Sequence, residues 1–213
     1  MMKTASTIMI LGALVTLASP AFANSRGVSN NHVPAIHIET FGAHNALYLI
    51  SEKANVPIGV EAIFDYKMEP TIDFDFPGGT VADLLNMFVS QASDYRWVED
   101  TGIIHVFWNS THLPIADVML SYPGAENKTR QQIWDDIDKR PEVIAWLNAN
   151  HCERNELFMG KEFRAHNGPI SIKAGSMTLA QLLDQVAIKS GENYWAIVQS
   201  PAGQKCQIRI SVW

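Results

Sequence analysis

The chain has 213 residues, 16 Lys and Arg against 22 Asp and Glu, and a formal charge of −6. Its 47% hydrophobic and 18% charged residues are the composition of a folded globular chain, which excludes a disordered, collagenous or coiled-coil protein. With no net positive field, it is not expected to hold nucleic acid.

The N-terminus reads as a secretory signal over residues 1–23. Lys3 supplies the positive charge, Ile8 to Val15 the apolar core, and Ala21-Phe22-Ala23 the small residues before the cut. The apolar core falls short of the ~20 residues that span a bilayer, so a cleaved signal is preferred to a retained anchor. No later stretch is long and apolar enough to span. The mature chain is expected to be periplasmic or secreted, with Asn24 to Asn31 as a flexible leader.

Ala46, Leu47, Leu49, Ile50 and Ala54 then predict a helix, and Pro57-Ile58-Gly59-Val60 a strand. Ile72, Phe74 and Phe76 alternate with Asp73 and Asp75, the period of a strand with one wet face. Asp73 and Asp75 share that face; solvated carboxylates that discourage edge pairing are the plain explanation, and an acidic patch for a cation or a basic partner is the sharper one. Thr80 is placed to cap a helix whose apolar stripe is Val81, Leu84, Leu85 and Phe88. A strand pair follows, beginning at Tyr95-Arg96-Trp97 and closing over Ile103 to Trp108.

This pattern recurs at one constant offset. Ile170-Ser171-Ile172 leads to Thr178, then to the stripe Leu179, Leu182, Leu183 and Val186, then to Tyr194-Trp195 and the closing strand Ile208 to Val212. Gln181 completes a capping box with Thr178, and Gly191 suits a left-handed helix end. Burying four such side chains yields roughly 6 to 12 kcal/mol, while fixing about a dozen residues costs on the order of 12 to 24 kcal/mol. Neither helix stands without a sheet beneath it. Trp97 and Trp195 occupy equivalent positions, which argues for core packing.

Between the copies, Thr129 to Ile137 is helix-like and stops near Pro141, and Glu142 to Leu147 begins another helix. This stretch is either the diverged front half of a second unit or a helical insert. The expected fold class is α+β: two related small two-layer units, strands packed under capped amphipathic helices, at 24–112 and 113–213, with a helical connecting segment in the latter.

Leu47 through Phe107 resembles the short N-terminal domain shared by secretins and TonB-dependent receptors. The residues that carry the resemblance are Ala54-Asn55-Val56-Pro57-Ile58, the Gly79-Thr80 turn, Leu84-Leu85, and Tyr95-Arg96-Trp97 running to Ile103-Ile104-His105-Val106. Residues 170–213 match the back half only, as a partial second copy. The resemblance implies a protein-interaction module of the cell envelope; the channel and receptor activities of the larger proteins are not carried over.

Cys152 and Cys206 both lie in the mature chain. In an oxidising compartment they are most simply a disulfide, stabilising by about 4 kcal/mol in the chain-entropy model; two buried thiols, or a metal site with His151 or His166, are the alternatives. Nucleophile elbows, phosphate-cradling glycine loops, His-Glu-x-x-His and Cys-x-x-Cys are absent from the sequence. No catalytic residue, cofactor or metal site is assigned, and each of His32, His37, His44, His105, His112, His151 and His166 reads first as a surface or core histidine. Trp134 and Trp146, outside the repeat, are the candidate partner-binding aromatics. The leading reading is an exported, non-catalytic protein-interaction module whose partner is another envelope protein, accessory to a secretion, transport or signalling assembly. Its rivals are a periplasmic hydrolase or small-ligand binding protein with a site between the units, and an inhibitor or immunity-type protein.

Overall fold

The structure is a computed structural model and describes residues 27–63, 69–109, 112–155 and 168–212. The signal segment 1–23, His166 and Trp213 lie outside the described residues. The described chain is α+β. Its first copy consists of β1 (His32–Val33), β2 (Ile36–Phe41), α1 (Ala43–Ala54), β3 (Ile58–Ile63), β4 (Thr71–Phe76), β5 (Gly79–Thr80), α2 (Val81–Gln91), β6 (Tyr95–Asp100) and β7 (Ile103–Trp108). The second consists of β8 (Met119–Tyr122), β9 (Ala125–Lys128), α3 (Arg130–Asp138), α4 (Pro141–Ala149), β10 (Glu153–Arg154), β11 (Ile170–Ile172), β12 (Gly175–Thr178), α5 (Leu179–Ser190), β13 (Tyr194–Gln199) and β14 (Gln207–Val212).

The helices start where their caps dictate. Thr80 and Thr178 accept the backbone N–H three residues on, from Asp83 and Gln181, and the side chains of Asp83 and Gln181 reach back to the cap N–H. Thr129 and Gln132 form a third such box at α3. Two backbone donors are satisfied at each start. Gly191 ends α5 at φ 71°, and Asn55 ends α1 in the same left-handed region.

Strand pairing establishes that the second copy is whole. β1 pairs antiparallel with β5, and β8 with β12. β2 pairs antiparallel with β4, and β9 with β11. β7 lies between a parallel β3 and an antiparallel β6, and β14 lies in the same way between β10 and β13. The segment at 113–155 therefore carries the front half of the second unit, with α3 and α4 in the place of α1, split at Arg140-Pro141. The two copies of this chain thus correspond in strand pairing beyond residues 170–213.

The two copies share one sheet of six strands, ordered β10-β14-β13-β3-β7-β6. At the join β13 runs parallel to β3, in register from Tyr194 opposite Ile58 to Gln199 opposite Ile63. Going across the sheet, the strand directions of one copy are the reverse of the other's, so a half-turn about an axis across the strands relates the copies. That half-turn puts their helices on opposite faces. Tyr194, Ala196 and Val198 join the first core with Ile58, Val60, Leu47 and Leu84, while Trp195 and Ile197 join the second with Leu182, Leu183, Ile133 and Val143. Strands β3 and β13 are buried on both faces, which is why each reads as a nearly unbroken apolar run.

Backbone and polar contacts lock the join. Ile58 N–H donates to the Asn193 carbonyl at 2.8 Å. Ser51 Oγ lies 2.9 Å from the Val56 carbonyl and 2.7 Å from that of Asn193, and Asn193 Nδ2 donates to Asn55 Oδ1 at 2.9 Å. The Tyr194 hydroxyl donates to the His44 carbonyl and sits 2.8 Å from His44 Nδ1. Cys152 and Cys206 form a disulfide that ties the end of α4 to the start of β14. Residues 28–31 of the expected flexible leader are instead held in place: the amides of Val28 and Ser29 donate to the Glu99 carboxylate, and the Asn31 carbonyl accepts from Val81 N–H.

Candidate interaction edge

The repeat carries one polar pair in two chemical forms. In the first copy Trp97 Nε1 donates to Asn86 Oδ1 at 3.1 Å; in the second Trp195 Nε1 donates to Asp184 Oδ1 at 2.6 Å. Asn86 and Asp184 sit at the same repeat position. Burial lifts the Asp184 carboxyl to about 7, with the indole hydrogen bond opposing and Asp100 adding to the rise. His105 Nε2, from β7 of the other copy, lies 3.8 Å from Asp184 Oδ2 and is itself held below its ordinary pKa by burial.

A second ionisable cluster anchors the chain between the copies. Glu61 stands in the middle of β3 and is 1% exposed. Its Oε2 accepts from Leu113 N–H at 2.6 Å and lies 2.8 Å from His112 Nδ1; His112 Nε2 is 2.8 Å from Asp117 Oδ1. Burial raises Glu61 to about 7, and the two carboxylates raise His112 against its own partial burial. Beyond this anchor, the Ala116 and Val118 carbonyls accept the first two N–H groups of α5. Each polar atom of Glu61 and His112 named here is engaged in holding segment 112–118 against β3.

The other histidines are dispersed. His37 lies 3.0 Å from Asp75 across the β2·β4 pair, on the exposed face that also carries Glu39 and Asp73. His44 is buried and held neutral, with its pKa lowered to about 4. His151 is an exposed residue in the turn after α4. The histidine-carboxylate contacts among the described residues thus fall on His37, at the surface, and on His105 and His112, between the copies. Trp134 and Trp146 are half-buried against the second core, with the Arg154 guanidinium 5.1 Å from the Trp134 ring centroid.

A cleft of about 130 Å³ opens at the carboxyl ends of β3 and β7, between the copies, and is lined by Ile63, Glu69, Asp94, Tyr95, Trp108 and Pro201 among others. It is well below the ~300 Å³ at which pockets for drug-sized ligands begin.

The largest asymmetry between the copies is at the sheet edge. Among the described residues β6 pairs only with β7, whereas its counterpart β13 pairs with β14 and, on its other side, with β3. Residues Arg96, Val98 and Asp100 of β6 are the counterparts of Tyr194, Ala196 and Val198, which the join buries. In β6 all three are exposed, Val98 by 47%. Glu61, Asp117, Asp184 and Asn86 were not among the sequence candidates; a carboxylate inside the apolar run Ile58 to Ile63 was the available signal for Glu61. No helix among the described residues is long and apolar enough to cross a membrane. No family model, curated protein or solved structure matches the chain.

Proposed function

We propose that this chain is an exported envelope protein that binds another protein by taking up one of its extended segments alongside β6, parallel to it. The observation that carries this reading is the internal join: the same edge in the second copy already holds a parallel strand, β3, over six residue pairs. An exposed edge offers a row of main-chain donors and acceptors for strand addition. Its side chains set the selectivity. Arg96, Glu99 and Asp100 put charge on the strand, which discourages indiscriminate pairing, while Trp97 and Val98 leave an apolar centre. The fitting partner is a segment with apolar residues opposite Trp97 and Val98 and a basic residue beside Asp100.

Export is supported by the signal-like residues 1–23 and by the Cys152–Cys206 pairing, since disulfides persist in oxidising compartments. The resemblance of residues 47–107 to the short N-terminal domain of secretins and TonB-dependent receptors supports the same envelope setting. The test places a photo-crosslinking residue at Val98 and, as a control of matched exposure, at Ile188 on α5, 47% and 48% exposed. A partner captured at Val98 and not at Ile188, whose binding then slows exchange of the β6 amides, is the expected outcome. A partner captured mainly through Trp146 or Ile144 on α4, with β6 exchange unchanged, would move the interface to the helices.

A further inference from the structure

We propose that the cleft between the copies is a binding site for an organic ammonium group. Its floor is a cross-strand aromatic pair, Tyr95 of β6 opposite Trp108 of β7. Its rim carries two carboxylates, Glu69 before β4 and Asp94 before β6. Glu69 Oε2 accepts one backbone hydrogen bond, from Ala43 N–H at 2.8 Å, and neither carboxylate has a cationic partner among the described residues. Tyr95 is 5% exposed and lines the cleft, and no hydrogen bond of its hydroxyl to another described residue is present. Glu69, Asp94 and Tyr95 line the same cleft, and burial first, then the two carboxylates, raises the pKa of the Tyr95 hydroxyl.

A cleft lined by two aromatic side chains and by two carboxylates that have no cationic partner among the described residues matches an ammonium group, whose charge is drawn to aromatic rings and carboxylates and whose N–H groups need acceptors. The volume fits one such head group and excludes a large ligand. Pro70 and Pro201, which also line the cleft, present no N–H to compete for the carboxylates. The ammonium could belong to a lysine side chain of a bound protein or to a small free amine, and the probes below separate the two. The inference is independent of strand addition at β6.

The intact mature protein is titrated with methylammonium, tetramethylammonium and Nα-acetyl-lysinamide, and amide shifts are followed at Asp94, Tyr95 and Asn109. Saturable shifts confined to these residues, weakened by about fivefold in Glu69→Gln or in the exposed Asp94→Asn, are expected. Tightest binding of the lysine derivative identifies a peptide source, and tightest binding of tetramethylammonium a methylated amine. Equal shifts from neutral Nα-acetyl-norleucinamide and tert-butanol, or no saturable shift from any cation, would overturn the proposal. If Glu69→Gln loses the wild-type spectrum, Asp94→Asn decides alone.

Discussion

Gly59 is the narrowest point of the join, and replacing it with alanine tests the shared sheet at one atom. A Cβ at this position would stand 2.3 Å from Cζ2 and 2.4 Å from Cε2 of Trp195, where unstrained carbon contacts are about 3.5 to 4.0 Å. Trp195 has little room to retreat. It is 1% exposed, β13 is paired on both sides, and its indole N–H is held by Asp184. Overpacking of this kind costs about 1 to 3 kcal/mol and more when the neighbour is fixed, so we expect about 3 kcal/mol. In a chain of this size that is a fall in Tm of roughly 6 to 12 °C. The sign is informative, because an unobstructed glycine in a strand is improved by alanine by about 0.5 to 1 kcal/mol. The assay is urea unfolding of Gly59→Ala, Trp195→Leu and the double variant. The double variant should be more stable than the sum of the singles predicts, by about 1 kcal/mol or more. A neutral or stabilising Gly59→Ala, or strict additivity with Trp195→Leu, would mean that the indole does not lie over β3.

Three further outcomes follow from the buried groups and the disulfide. Asp184→Asn copies the first copy's Asn86 and removes a carboxyl lifted to about 7; a raised acid stabilises relative to the unfolded chain least when ionised, so the variant should gain on wild type as pH rises from 5 to 8, by about 1 to 4 kcal/mol, in paired urea titrations. A gain that does not grow with pH would contradict the burial of that carboxyl. His112→Ala removes the imidazole that links Glu61 to Asp117 and leaves the Leu113 N–H as the remaining contact named above for the buried Glu61 carboxyl, so the variant should lose about 1 to 3 kcal/mol in urea unfolding; an unchanged midpoint would refute the anchor. Reducing the Cys152–Cys206 bond, which spans 54 positions, should cost about 4 kcal/mol in the chain-entropy model, read as a lower urea midpoint; an unchanged midpoint would mean that the loop is held closed without it.

The helices were legible because their signals are local. Thr80 and Thr178 lie at the start of a stripe that repeats every turn, and nothing distant alters that pattern. The Cys152–Cys206 pairing and the α+β class were legible for similar reasons of composition and period. β2 was missed although Ile36-His37-Ile38-Glu39-Thr40-Phe41 alternates as a strand should, and β8 to β10 were missed because short strands of four or two residues carry too little periodicity. The join itself depends on partners far apart in sequence. Its trace is nevertheless in the residues: β6 reads Tyr-Arg-Trp-Val-Glu-Asp and alternates, whereas β13 reads Tyr-Trp-Ala-Ile-Val-Gln and does not, the mark of a strand covered on both faces. The ionisable pairs were illegible, since Asp184 meets His105 only because a half-turn brings α5 over the first copy's sheet. The cleft was illegible for the same reason: Pro201 closes it from the second copy.

Native-state amide exchange tests the shared sheet most directly. The amides of β3 and β13 should be the slowest in the protein and should open together, at the free energy of global unfolding, while the outward amides of β6 exchange orders of magnitude faster. Early, independent exchange of β13 and β14 with β3 and β7 still protected, or β6 amides as slow as those of β13, would contradict a single sheet joined at β3·β13 and open at β6.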